Sequence, residues 1–177
     1  MARHPAAMNA RDKIRSIDQL ERVCRRARER RQQVVFTNGC FDLLHIGHVR
    51  YLEAARNLGD LLVVAVNSDR SVHEIKGPLR PIVPETERCE LVAALHCVDY
   101  VCVFDTPTPL PLIQLLLPKV LVKVADWSVD RTVGAEEVQQ AGGEVVHIPL
   151  VSGVSTTKII ERILDRFREK DETTIHA

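Results

Sequence analysis

Apolar runs without helical period alternate with segments of helical period along most of the chain. Residues 34–37 form a short β-type run that ends at Asn38-Gly39. Helical spacing follows over 47–58, where Val49, Leu52, Ala55 and Arg56 share one face, and Gly59 is the expected stop. Residues 60–66 are almost wholly apolar, as in a parallel strand covered on both faces. Residues 67–84 are polar and punctuated by Pro78, Pro81 and Pro84, which predicts a long loop. Pro84 suits the first turn of a helix running to about 96. The pattern then predicts a strand at 100–104, a loop at 106–111, a short helix to 117 and a strand at 120–124. A helix at 133–141 ends at Gly142-Gly143, and a strand at 144–148 and a last helix at 155–170 follow. Ahead of all these, 17–31 has the spacing of a solvated helix that turns Ile17, Leu20 and Val23/Cys24 inward.

Strands separated by helices imply an α/β fold, a doubly wound five-stranded parallel sheet with right-handed crossovers. Ligands of such sheets bind outside the carboxyl ends of the strands. The loops at 38–48, 67–84, 123–127 and 150–157 all follow strands, so they are expected to converge on that edge.

Composition narrows the choice further. The chain has 177 residues, 45% of them apolar, enough for one domain with a sizeable core. Lys+Arg and Asp+Glu are both 24, so no net charge points to nucleic acid. Residues 1–31 carry ten basic and four acidic side chains, a local +6, but no interleaved aromatics that would make a nucleic-acid arm. No apolar run is long enough for a membrane span, and the start lacks the apolar core of a secretory signal. The expectation is a soluble cytoplasmic protein with neither membrane nor nucleic-acid partners. The five cysteines include no C-x-x-C pair, so neither a disulfide framework nor a zinc site is expected. Cys40 could be a nucleophile, but a small buried hydrophobe is the reading favoured here.

The chemistry concentrates in FTNGCFDLLHIGHVRYLEAAR, residues 36–56. Gly39 permits a tight turn, and a helix starts near Ile46 with free N–H groups that favour an anion. His45 and His48, three apart, project from one side of its first turn. Gly47 between them leaves the backbone bare for a ligand. Two imidazoles there can donate to phosphate oxygens and become cationic as phosphate raises their pKa. The plain alternative is a satisfied turn. The strand before, the Thr-Asn-Gly turn and the helix after favour a phosphate site.

This stretch resembles the signature of the H-x-G-H nucleotidyltransferase superfamily, in its cytidylyltransferase-like branch. KGPLRPIVPETER, LVKVADW and GVSTTKII follow in that branch's order and spacing, and with them residues 16–168 resemble the adenylyltransferases of bacterial heptose biosynthesis. The resemblance implies a Rossmann-like nucleotidyltransferase fold, with 1–31 a basic extension and helix, 32–170 the domain and 171–177 a frayed tail. It implies that ATP and D-glycero-β-D-manno-heptose 1-phosphate give ADP-heptose and pyrophosphate. That activity also occurs fused to a sugar kinase, and this chain would be its free-standing form.

By the same resemblance His45, His48 and Lys76 are the expected catalytic residues. Thr37, Asn38, Gly39, Phe41 and Gly47 would cradle the nucleotide. Arg88 would contact the leaving phosphates. Asp126 would accept from the ribose, and Trp127 would pack a base or sugar. Ser155, Thr156 and Thr157 would form a second anion site at a helix start, where an ordinary N-cap is the alternative. Asp42 would orient the substrate or another side chain of the motif, and Arg80 would bind substrate or structure its loop. Magnesium would arrive on the ATP phosphates, since no carboxylate cage is visible. A homo-oligomer is expected by analogy.

Two features leave other readings open. Relatives commonly carry glycine where this chain has Val124, which favours a nucleotide-binding module with weakened catalysis. Leu150 and Val151 replace the Arg-Thr of related cytidylyltransferases, and an apolar slot suits adenine. A polyol- or alcohol-phosphate cytidylyltransferase using CTP is the second enzymatic reading.

Overall fold

The computed structural model describes residues 9–125, 132–149 and 151–174, and the side chains of 169–174 are outside it. Two short N-terminal helices, α1 (Ala10–Lys13) and α2 (Ile17–Glu29), lead into β1 (Val34–Gly39). There follow α3 (Ile46–Arg56), β2 (Leu61–Asn67), α4 (Asp69–Lys76), α5 (Glu85–Ala94) and β3 (Tyr100–Phe104). The second half runs α6 (Leu110–Leu116), β4 (Val120–Val124), α7 (Ala135–Gln140), β5 (Glu144–Ile148) and α8 (Thr156–Thr174).

All strand pairs are parallel, in the order β3-β2-β1-β4-β5. The chain therefore works outward from β1 to β3, returns to the centre, and works outward again through β4 and β5. The switch point lies between β1 and β4.

Alternation along the strands builds two apolar layers. Val35, Leu62, Val64, Val66, Val101, Val120 and Val122 face Tyr51, Leu52 and Ala55 of α3 and Cys89, Val92 and Ala93 of α5. Val34, Phe36, Val63, Ala65, Cys102, Phe104 and Leu121 face Leu20, Cys24 and Ala27 of α2, α6, and Val138 of α7. Burial on both sides is why these strands read as unbroken apolar runs. Among the described residues no helix is long and apolar enough to cross a membrane.

Three details depart from the pattern-based expectation. Residues 69–76 are helical where a loop is expected. Ser68 caps this helix by accepting from Ser71 N, and only Ser71 and Val72 are buried, so its apolar signal is one residue wide. The short helix α1 has no apolar pattern of its own; Lys13 Nζ ties its end to the carbonyls of Leu95 at 3.1 Å and Val98 at 2.8 Å. Finally, α3 ends at Asn57, and Gly59 serves a close approach: a Cβ there would stand 2.7 Å from Gln33 O and from Val35 Cγ2.

Candidate active site

A cavity of about 570 Å³ opens at the carboxyl ends of β1 and β4, at the switch point. Its walls come from the turn after β1, the first turns of α3 and α8, and the end of α4.

His45 is the N-cap of α3, extended at φ −141 and ψ 169, and His48 sits one turn in. The His48 backbone N–H donates to His45 O at 2.9 Å, and the His45 backbone N–H donates to His48 Nδ1 at 3.3 Å. Because Nδ1 accepts, the neutral His48 ring carries its proton on Nε2. The two rings stack, centroids 3.8 Å apart and 20° between planes, with Phe41 tilted against His48 at 5.4 Å. His45 Nδ1 is buried without a hydrogen-bond partner among the described residues. Burial and the neighbouring His45 push His48 down to about 4, and burial lowers His45. Before a ligand enters, the pair is thus neutral, and the charge expected of it would have to come with the anion.

Gly47 lines the cavity, but its lack of a side chain first serves His45: a Cβ would lie 2.9 Å from the His45 ring. Phe41 reaches its wall position through a left-handed backbone at φ 48. Asn38, Gly39, Lys76, Arg80, Ser155, Thr156 and Thr157 line the same cavity. Lys76 is exposed in the last turn of α4, so a helix rather than a loop delivers it. Ser155 Oγ accepts from Lys158 N at 3.1 Å as an ordinary cap, and Thr156 Oγ1 donates to Leu43 O at 3.4 Å. Among the described residues nothing bonds the Thr157 hydroxyl, which lies at a second helix start. Two helix N-termini, those of α3 and α8, therefore converge on one space.

Three expected site residues are buried and engaged within the fold. Thr37 is fully buried, 2.7 Å from Tyr51 Oη, which donates to Val122 O at 3.2 Å. It anchors α3 to the sheet and does not line the cavity. Arg88 is also fully enclosed. Its guanidinium donates to the carbonyls of Val83 (2.9 Å), Asn67 (2.8 Å) and Cys40, and to Asp69 Oδ1 at 2.7 Å. Those donors are spent on the turn after β1, the end of β2, the start of α4 and the loop before α5, so Arg88 clamps these segments together. Asp42 has a fully buried side chain that accepts from Arg80 Nε and from the N–H groups of Ile82 and Val83. Burial raises its pKa, yet the Val83 and Ile82 amides and Arg80 together hold it below the ordinary carboxylate range. It orients Arg80, a side chain of the second motif, which is one of the two roles expected of it, and it lines the cavity. Asp126 and Trp127 lie outside the described residues, as does Leu150.

The wall also includes Cys40 and Val124, and Tyr51, Asn67, Ile75 and Val154, to which the sequence alone assigns no site role. Burial pushes the Cys40 thiol up despite nearby Lys76, Arg88 and Arg80, which opposes a nucleophilic role. Among the described residues no group of three His, Cys, Asp or Glu side chains could hold a metal ion.

Paired helix starts, neutral N–H donors and a lysine at a switch point suit a polyphosphate, and this is the ground plan of a nucleotidyltransferase. The chain belongs to the cytidylyltransferase-like family, which it matches over residues 36–162. It is 53% identical over 169 residues to the bifunctional protein HldE of Syntrophotalea carbinolica, covering 96% of this chain and 34% of that protein. It is 52% identical over 158 residues to the bifunctional protein HldE of Trichlorobacter lovleyi, covering 89% and 32%. The chain thus spans about a third of the length of these relatives. Among solved structures, a lipopolysaccharide core biosynthesis protein from Thermoplasma volcanium superposes with TM-score 0.55 at 28% identity, over 68% of this chain and 97% of that one. The pantothenate synthetase of Thermus thermophilus, at 18% identity and TM-score 0.52 over 78% and 62%, shares the fold alone.

Proposed function

We propose that this chain transfers the adenylyl group of ATP to D-glycero-β-D-manno-heptose 1-phosphate, releasing pyrophosphate and giving ADP-heptose. The observation that carries this reading is the stacked His45–His48 pair at the start of α3, facing the start of α8 across one cavity. A sugar-phosphate oxygen attacks the α-phosphorus in line, and the bond to pyrophosphate breaks. The chain's part is positioning and charge stabilisation. His48 Nε2–H and the free N–H groups of α3 donate to phosphate oxygens, and Lys76, exposed at the end of α4, brings a positive charge to the same space. Arg80, aimed by Asp42, stands where it can hold the sugar phosphate. His45, His48 and Lys76 are the catalytic residues of this reaction.

Magnesium would enter with the nucleotide, since the described residues offer no carboxylate cluster of their own and the ion keeps phosphate and water ligands. It would supply charge neutralisation on the triphosphate.

The heptose substrate is supported by the heptose-adenylyltransferase motifs in the sequence, by the HldE relatives and by the lipopolysaccharide core biosynthesis protein with the same fold. Apolar Val154 in the cavity wall, with Val151 beside Gly47, fits adenine. Pyrophosphate release measured with ATP and CTP, each paired with heptose 1-phosphate and glycerol 3-phosphate, tests the reading. Release with ATP and heptose 1-phosphate alone is expected. Turnover only with CTP and glycerol 3-phosphate would replace this reading with the cytidylyltransferase one, and no turnover with any pair would leave a binding module.

A further inference from the structure

On the α2/α6/α7 face, the carboxyl end of the sheet changes from apolar to polar in a single row. Lys123 of β4 is in register with His147 of β5. The β1–β4 register pairs Val35 with Val120 and Phe36 with Leu121, and two further steps bring Asn38 opposite Lys123. A hydrogen bond closes this pair across the switch point: Lys123 Nζ donates to Asn38 Oδ1. His147 Nε2 is satisfied separately, 3.1 Å from Thr132 Oγ1.

Lysine can only donate, so the Asn38 carbonyl oxygen must face it, and this fixes which way the amide points. The two N–H groups of Asn38 then face away from Lys123. Asn38 is a wall of the cavity, and among the described residues no acceptor takes those N–H groups. Lys123 is not itself a wall residue.

Stability does not account for the lysine. Among the described residues no carboxylate pairs with it, and burial pushes it down to about 8. A methionine of similar length would fill the same space without an ammonium to desolvate.

We infer that Lys123 is a positioning residue: it locks the Asn38 amide so that its N–H groups donate to a phosphate oxygen of the bound nucleotide. This deepens the proposed function and rests on its polyphosphate site. It adds a donor on the β1–β4 seam to those of α3.

The test is a double-mutant cycle read by calorimetric titration with ATP, with adenosine and with inorganic tripolyphosphate. K123M should weaken ATP and tripolyphosphate about tenfold, as expected for one hydrogen bond to a charged acceptor, and leave adenosine unchanged. Its Tm should equal or exceed that of the unmodified chain. K123R, which can still donate to Asn38, should recover most of the affinity. N38L should lose as much as K123M, and K123M/N38L should lose no more than N38L alone, because Lys123 acts through Asn38. Full affinity in K123M would overturn the inference. So would an additive loss in the double variant, which would place Lys123 directly on the ligand, or an equal loss toward adenosine. If K123M fails to fold, N38L alone decides: unchanged ATP affinity overturns the inference. Should the unmodified chain bind neither ATP nor tripolyphosphate, the functional reading falls and takes this inference with it; tight binding in the unmodified chain with no effect in the variants sinks this inference alone.

Discussion

The His45 and His48 rings lie face to face, 3.8 Å between centroids, and the backbone N–H of the first holds Nδ1 of the second. Placing two positive charges at that distance in a half-buried site is unfavourable, so the two rings do not both carry a second proton. Phosphate changes the balance, because an anion against Nε2 favours the protonated ring. The pair can therefore carry one proton into the complex, matched to the charge that arrives.

His48 makes fold stability depend on acid. Its folded pKa, about 4, lies below its unfolded value of 6.5. Between those two values the unfolded state binds more protons, so stability falls as pH drops from 6.5 toward 4 and is unaffected above that window. The full effect is on the order of 3 kcal/mol. Thermal melts from pH 7 to pH 4.5 should show a steeper loss of Tm for the unmodified chain than for His48→Gln. Parallel slopes would mean that the ring is not desolvated as the structure has it. In the same variant kcat/KM for ATP should fall by roughly 10²-fold or more, as for loss of a preorganised donor.

Arg88 offers a sharper separation between structure and chemistry. Its four acceptors belong to the turn after β1, the end of β2, the start of α4 and the loop before α5. Lysine supplies a point charge and cannot span them. Arg88→Lys should cost on the order of 3 kcal/mol in a denaturant melt, because buried carbonyls and part of the Asp69 pairing lose their donor. The loss of activity should follow the loss of fold: at a temperature well below the new midpoint, KM for ATP should stay within about threefold. A large rise in KM with an unchanged midpoint would instead restore the phosphate contact that the sequence suggests.

The contrast between Arg88 and His45 explains how far the sequence could be read. Five strands and their order of covering were legible because valine-rich runs buried on both faces leave no ambiguity of period. The turn at the start of α3 was legible because glycine, two histidines and a helix start are close in sequence. The helix holding Lys76 was not, since one buried valine is too little pattern to set against three prolines downstream. Nor could the sequence separate motif residues that face the cavity from those that build its walls. Thr37, Asp42 and Arg88 are polar residues in the same motifs as His45 and Lys76, yet each is consumed by contacts more than ten positions away. Only the fold decides which polar side chains have donors left over. Lys123 went unmarked because its partner Asn38 is 85 residues distant.

Val124, where the family resemblance leads one to expect glycine, has a definite place in the structure. It ends β4, pairs with Ile148 and lines the cavity, with part of its side chain packed against the α3/α5 layer. Glycine here would open the wall at the switch point and let a nucleotide approach the backbone of β4. It would also remove an apolar contact and loosen a strand end, at a cost of roughly 1 kcal/mol from the backbone alone. Val124→Gly should therefore raise kcat/KM for ATP severalfold while lowering the denaturation midpoint. The two effects have opposite signs, so they cannot be confused: a residue that only packs would lose stability with no gain in turnover. An unchanged or lower kcat/KM would mean that the branched side chain leaves the nucleotide's path clear.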